Sequence, residues 1–285
     1  RIQSGEVWDD VVRLACEENW WGIENLSHIP GFTGAIPVQN VGAYGQEASG
    51  IIQQVEVYDR LKNKINFLSA KDCQFGYRSS IFNSAHKNRY VILSIDIKLR
   101  KRPQPNLSYG DLSKQFAGIP TEQISIQDIR NFVIAIRDKK FPFPSSPEKG
   151  NSGSFFRGPI LDEARFTKLV SKIKETFGQE SSQRLENMRD KLQVAQGYKT
   201  PTGFLIELCE LKELVSGGAK INPNHPAIII NFSGQASSFD VLNLYTQVKV
   251  KVYEKTGVNL EIEPELIGFS LEELQKYQVK KPEMI

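Results

Sequence analysis

Between residues 30 and 45 the chain reads Pro-Gly-Phe-Thr-Gly-Ala-Ile-Pro-Val-Gln-Asn-Val-Gly-Ala-Tyr-Gly, with four glycines and two prolines among small and apolar residues. Proline fixes φ and has no backbone donor, so this stretch is no helix interior. Glycine admits positive φ and lets backbone come close to another group. An ordered loop is therefore expected. By composition it has two uses: a main-chain surface laid against something flat or polar, or a surface loop packed only on itself.

The flanks are more regular. Trp8, Val11, Val12 and Ala15 recur at helical spacing, which predicts one apolar helix face from about Glu6 to Glu18. Trp20 and Trp21 follow as core or as a lid over the loop. Ile51–Tyr58 reads as a strand, with Ile65–Leu68 as its hairpin partner. Val91, Leu93, Ile95, Ile97 and Leu99 alternate with Ile92, Ser94, Asp96, Lys98 and Arg100, the pattern of a strand with one mostly wet face. Ser125 with Asp128 starts a helix whose buried stripe is Ile129, Phe132, Val133 and Ile136. It ends in four charges, Arg137 to Lys140, that would ordinarily be solvated, and Ser145–Lys149 is a Pro/Ser-rich hinge.

Further on, Phe166, Leu169, Val170, Ile173 and Phe177 line a helix that Gly178 ends. Ser181–Asp190 is polar and expected to be exposed. Thr202–Glu207 begins another helix, Ala227–Asn231 is a fully buried strand, and Val241, Leu244, Tyr245, Val248 and Val252 stripe a long helix closed by Gly257. Leu260–Gly268 reads as a strand with Glu261, Glu263 and Glu265 on one side. The remainder, from Ser270, is a short polar helix and tail.

A length of 285 residues suits one large or two ordinary domains. Hydrophobic content of 40% and charged content of 24% fit a globular chain. A net charge of +3 gives no reason to expect nucleic acid. No run approaches transmembrane length, so no membrane partner is expected. Cys16, Cys73 and Cys209 are far apart without a CxxC, as reduced, buried thiols of a cytoplasmic protein would be. His28, His86 and His225 have no metal-ligand spacing, and no metal is expected.

The phrase Gly22-Ile23-Glu24-Asn25-Leu26, Ile29-Pro30-Gly31, Gly34 and then Gln39 to Gly45 resembles the flavin-contacting signature of the UDP-N-acetylenolpyruvoylglucosamine reductases, the MurB family, in the type with a Tyr-containing substrate loop. The resemblance implies an α+β fold. Residues 1–143 would form a vanillyl-alcohol-oxidase-type FAD-binding domain, residues 144–268 an α+β substrate-binding domain, and residues 269–285 a tail. The family normally carries, ahead of the position of Arg1, an N-terminal lobe whose Gly/Ser-rich loop binds the FAD pyrophosphate. That lobe is expected to be missing here. FAD would be held by Gly31, Gly34, Ala35, Pro37, Asn40, Gly42, Ala43 and Tyr44, and NADPH would be the reductant.

Downstream phrases extend the likeness. Gly76-Tyr77-Arg78-Ser79-Ser80-Ile81-Phe82 resembles a family hallmark in which the arginine meets the substrate carboxylate, which makes Arg78 catalytic and Tyr77 substrate-binding. Leu107-Ser108-Tyr109-Gly110-Asp111-Leu112 resembles the loop whose tyrosine reaches the substrate diphosphate. Arg137, Lys140 and the following Phe141–Pro144 resemble a phrase near the nucleotide or nicotinamide phosphate. Gly150-Asn151-Ser152-Gly153-Ser154-Phe155-Phe156-Arg157 resembles the phrase whose second serine is the general acid, assigning that role to Ser154 and substrate contact to Asn151. Gly158 stands where many relatives carry Asn, which puts one substrate contact in question, and His225 stands where many carry Gln. The last strand aligns Glu263 as the catalytic glutamate; Glu265 competes by a two-residue slip, and Gly268 favours Glu263.

The implied reaction is reduction of UDP-N-acetylglucosamine enolpyruvate to UDP-N-acetylmuramate, a peptidoglycan precursor, by a cytoplasmic, monomeric bacterial enzyme. The glycine stretch alone also fits another flavoprotein of that fold acting on an alcohol. An inactive chain holding UDP-sugar without catalysis is a third reading.

Overall fold

The structure, a computed structural model, describes residues 1–140 and 150–277. It divides into two compact units, Arg1–Asp138 and Lys139–Ile285. The Phe141–Pro144 phrase, the hinge over Ser145–Lys149 and the boundary expected at 143/144 lie outside the described residues. Helices mix with strands whose pairings are all antiparallel among the described residues, which is the α+β class the sequence predicts.

In the first unit β1 (Ile2–Gln3) leads into α1 (Trp8–Glu17). Trp8, Val12 and Ala15 are buried, and the Trp8 indole donates to the Leu26 carbonyl at 3.1 Å. Of the two following tryptophans only Trp21 is core, 3% exposed against 38% for Trp20. The glycine stretch then runs through short 3-10 turns into a hairpin, β2 (Gly42–Ala43) with β3 (Gln46–Glu47). The strands β4 (Ile52–Asp59), β5 (Lys64–Ser69) and β6 (Tyr90–Ile97) join β1 in a sheet of order β1-β6-β4-β5. Two helices follow, α2 (Gly110–Gln115) and α3 (Ile126–Lys140). Ser125 and Asp128 exchange hydrogen bonds at the start of α3, each side chain accepting from the other's amide, at 3.0 and 3.1 Å.

The alternation predicted across 91–99 breaks inside β6. Glu56 pairs with Ser94 but Val57 pairs with Ile92, so Leu93 is an extra residue. A bulge of one residue reverses which side chains face the core. Val91 is accordingly 48% exposed, while Tyr90 and Ile92 pack on the core.

The second unit begins with β7 (Asn151–Ser154), β8 (Phe156–Arg157) and β9 (Ile160–Leu161). The helix α4 (Glu163–Phe177) carries its predicted stripe: Phe166, Leu169 and Ile173 are buried, and Gly178 ends it. Ser181–Asp190 is not an exposed polar run. It contains most of α5 (Gln179–Glu186), with Ser182 and Leu185 buried, and the start of α6 (Arg189–Leu192). Two residues three apart suffice to turn one face of a short helix inward. The strands β10 (Gln193–Val194) and β11 (Gly197–Lys199), the helix α7 (Thr202–Leu208) and the hairpin β12 (Val215–Ser216) with β13 (Ala219–Ile221) follow.

β14 (Ile228–Asn231) completes a sheet of order β12-β13-β14-β7. Only its first half is fully buried, because Ile230 and Asn231 reach the edge of the core. The helix α8 (Ser238–Thr256) lies against α4, α7, β12 and β13 and ends at Gly257, whose φ of 74° is left-handed. The predicted 260–268 strand shrinks to β15 (Glu261–Ile262), which pairs with β8; Ile267 beyond it is 84% exposed. A capped helix, α9 (Leu271–Lys276), is the last described element.

The β4–β5 hairpin turns on Asp59. Its carboxylate accepts from the Arg89 guanidinium at 2.6 and 3.2 Å and from the amides of Leu61 and Lys62. These bonds, Arg89 foremost, hold the Asp59 carboxyl at about 2, below the usual 3.8. Between those values the unfolded chain binds a proton that the folded chain does not, so acid favours unfolding. Asp59 thus contributes stability at higher pH that is lost as pH falls through about 2. Asp59→Asn is expected to flatten the melting-temperature profile between pH 4 and 2 by this one group's share; a profile parallel to that of the native chain would refute the assignment.

Candidate active site

In the first unit several residues singled out by sequence gather on the β2–β3 hairpin. Asn40, buried and at φ 47°, is a hub: its Nδ2 donates to the Glu47 carboxylate at 2.9 Å and to the Gly76 carbonyl at 3.0 Å, and its Oδ1 accepts from the Ser49 amide at 2.9 Å. Arg78, at φ 51°, donates from Nη2 to the Gly42 carbonyl at 2.9 Å and lies near the Tyr77 ring, 5.5 Å from its centroid. A Cβ on Gly42 would stand 2.9 Å from Glu47 Cγ and 3.2 Å from Arg78 Nη1. Glycine is what lets the guanidinium approach this turn. Ser80 ties the arginine turn to the glycine stretch through a 2.6 Å bond to the Val38 carbonyl.

Tyr44, buried at φ 48°, follows Gly42 and Ala43. Its ring meets Tyr109 edge-on, 5.2 Å between centroids. Arg137 reaches the same place from α3. Unlike an ordinary solvated helix-end charge it is buried, with Nε donating to the His28 carbonyl at 2.8 Å. Burial pushes its guanidinium below the usual value, while the Tyr44 side chain, its hydrogen-bond partner, opposes that shift. His28 is held in turn: its amide donates to Asp9 at 2.5 Å, its ring meets Asp138 at 2.9 Å, and Asp9 forms a two-bond pair with Arg130 at 2.8 and 2.9 Å. Earlier in the stretch, Gly31 accepts from the Trp8 amide, Gly34 donates to the Ser4 carbonyl, Ala35 is exposed and Pro37 is buried.

In the second unit the sequence-singled residues gather around β7. Ser154 is exposed and pairs with Ile228, while Asn151 pairs with Ile230 and accepts from the Gly153 amide at 2.9 Å. The residue after Ser154 receives the Glu263 amide, which donates to the Phe155 carbonyl at 2.9 Å. Glu263 is half-buried there, Glu265 is exposed, and Glu261 pairs with Arg157 at 3.0 Å. His225 sits in the turn feeding β14, and the Ile228 amide donates to its carbonyl at 2.9 Å. Burial, and then the charge of Lys140, push its imidazole below the usual 6.5 and keep it neutral. Its Nδ1 is buried with no partner among the described residues. Lys140 is fixed by its own carbonyl, which accepts from Asn222 at 2.8 Å.

Sequence reading missed the polar side chains beneath the first-unit cluster. Glu24 and Asn25 are fully buried. Glu24 accepts from the Gly22 amide and from Gln46, both at 2.7 Å, and Gln46 accepts from the Asn25 amide at 2.9 Å. The signal was a charged and an amide residue inside an otherwise apolar phrase, Ile23 to Leu26. The three cysteines are buried as expected, and burial raises their thiols to about 12, 12 and 11, so they stay protonated and inert. Among the described residues no cluster of His, Cys, Asp or Glu could hold a metal ion, and no helix is long and apolar enough to cross a membrane.

Residues 146–267 match the family model for the UDP-N-acetylenolpyruvoylglucosamine reductase C-terminal domain. The UDP-N-acetylenolpyruvoylglucosamine reductase of Alcanivorax borkumensis is 36% identical over 264 residues, 93% of this chain and 72% of its own length. That of Flavobacterium johnsoniae is 35% identical over 266 residues, covering 93% and 74%. The crystal structure of MurB from Thermus caldophilus shares the fold, with a TM-score of 0.58 over 92% of this chain and 70% of that one, at 22% identity. With identities in the mid-thirties across nearly its whole length, the chain belongs to the UDP-N-acetylenolpyruvoylglucosamine reductase (MurB) family of oxidoreductases.

Proposed function

We propose that this chain reduces UDP-N-acetylglucosamine enolpyruvate to UDP-N-acetylmuramate with FAD and NADPH, in peptidoglycan precursor synthesis in the cytoplasm. The reading takes residues 1–143 as an FAD-binding domain of the vanillyl-alcohol-oxidase type, residues 144–268 as the substrate-binding domain, and the working form as a monomer. One observation carries it beyond the family name: Ser154 is exposed on β7, and the Glu263 backbone is bonded to the very next residue. An exposed hydroxyl one residue away from the backbone that anchors Glu263 suits proton delivery.

The residues of the glycine stretch fit a flavin. Gly31, at φ 112°, has nothing within 4 Å of where a Cβ would stand. Fully buried Thr33 Oγ1 and Asn25 Oδ1 are polar atoms left without a partner among the described residues. Gly31, Gly34, Ala35, Pro37, Asn40, Gly42, Ala43 and Tyr44 would hold the cofactor. The chemistry FAD supplies when bound is hydride transfer, drawn from NADPH and delivered to the enol-ether carbon.

The protein's own part is charge and proton handling. Hydride addition builds negative charge on the substrate carboxylate, and Arg78 offers it a cation fixed by Gly42 and Tyr77. Glu263 would hydrogen-bond the same carboxylate, which requires a shared proton. Ser154 gives its proton to the neighbouring carbon. A serine hydroxyl is a weak acid, so its held geometry, rather than its acidity, makes that step work. Tyr109 serves the substrate diphosphate, Arg137 and Lys140 the nucleotide or the nicotinamide phosphate, and Tyr77, Asn151 and neutral His225 complete the hold on substrate.

Ser154→Ala is expected to leave NADPH-driven bleaching of the flavin absorbance within about twofold and to slow oxidation of reduced enzyme by substrate about 10²–10⁴-fold, the usual range for a general acid. Equal slowing of both half-reactions, read by stopped flow, would make Ser154 structural. Arg78→Lys keeps the charge but loses the planar fork, and turnover with saturating substrate should fall at least about tenfold. Unchanged turnover in that variant would remove Arg78 from the chemistry.

A further inference from the structure

Three segments far apart in sequence are stitched by two asparagine side chains. The fully buried Asn25 donates from its single Nδ2 to two carbonyls, that of Tyr44 at 2.7 Å and that of Asn106 at 2.9 Å. Asn106 answers with its own Nδ2, which donates to the Gly45 carbonyl at 2.7 Å. The Asn106 Oδ1 accepts from the Ser108 amide and hydroxyl at 3.1 and 2.6 Å. Gly45, at φ 84°, leaves no room for a side chain: a Cβ there would stand 2.9 Å from Ser108 Oγ. Tyr109 is the next residue, and its ring meets Tyr44 at 5.2 Å.

We propose that Asn106 is a positioning residue that latches the base of the Tyr109 segment to the Tyr44–Gly45 turn, so that Tyr109 takes a fixed bearing on Tyr44 and on the substrate phosphates. The inference rests on the functional reading above for what Tyr109 binds, but the latch itself does not. The Tyr44 and Gly45 carbonyls lie in a sharp turn, and no strand ladder is present to pair them. The two asparagine amides supply that pairing and in doing so fix residues 106–108. Tyr109, the residue that follows them, is 42% exposed, and its carbonyl accepts from the Ser113 amide at 2.9 Å.

Two measurements test this on the full chain. Hydrogen exchange should show Asn106→Ala loosening the peptides over 42–47 and over 106–112 together. Asn106→Asp, which keeps the acceptor for Ser108 but loses the donor to Gly45, should loosen 42–47 as well. In the holoenzyme, Asn106→Ala should raise the KM for UDP-N-acetylglucosamine enolpyruvate about tenfold, the effect of one lost hydrogen bond, with kcat within about twofold. Added to Tyr109→Ala it should raise KM no further, because it acts through that ring. Exchange confined to 106–112, or additive effects in the double variant, would overturn the latch. Coupled exchange with no KM effect in either single variant would retain the latch and overturn the substrate role of Tyr109.

Discussion

The first unit depends on pairing the backbone of a long loop that has almost no ladder of its own. Buried amides and carbonyls must find partners, and an orphan costs roughly 1–3 kcal/mol. From Gly22 to Gly50 short backbone turns share that pairing with buried side chains. Glu24 takes the Gly22 amide, Asn25 the Tyr44 carbonyl, Asn40 the Ser49 amide, and Ser80 the Val38 carbonyl. Each of these is buried and polar, and each holds a turn that glycine alone would leave loose. The glycines make the path possible and the amides make it unique.

That rigidity also supports strain. Asn40, Tyr44 and Arg78 all sit at φ between 47° and 51° without being glycine. Such conformations cost on the order of 1–3 kcal/mol each and persist only where surroundings over-determine them. Here all three belong to the proposed site, Asn40 as its hydrogen-bond hub, Tyr44 against Tyr109 and Arg78 at the Gly42 carbonyl. The second unit places its residues through an irregular strand: Ser154 pairs with Ile228 next to a register shift in β7, just after Gly153 at φ 73°, and Glu263 follows β15 with its amide bonded to the Phe155 carbonyl.

Local pattern was legible where one periodicity ran unbroken. The stripes of α4 and α8, their glycine stops, and the β4–β5 hairpin are as expected, because burial there follows chain spacing. The β6 pattern failed at Leu93, since alternation counted in one strand cannot reveal a residue that its partner skips. α5 was hidden because two inward residues, Ser182 and Leu185, carry too little apolar signal against their polar neighbours. At the site, the contiguous phrases were readable and the ties between them were not. Asn25 reaches carbonyls 19 and 81 residues away, and nothing local in either partner marks the pairing. Arg137 looked like a solvated helix end because its burial is decided by His28, 109 residues earlier.

Gly158 shows how such a tie can explain a departure from the family pattern. Read alone, a glycine where the resemblance expects asparagine puts one substrate contact in question. In the fold, a Cβ at 158 would lie 2.3 Å from Thr200 Cβ and 2.5 Å from its hydroxyl, which donates to the Pro159 carbonyl at 2.5 Å. Thr200 fills that volume and is itself fixed by the neighbouring backbone. An asparagine could stand there only if Thr200 turned away, giving up its bond to the Pro159 carbonyl. The two positions are thus one packing decision, in which a hydroxyl bonded to backbone occupies the space of a side chain pointing outward.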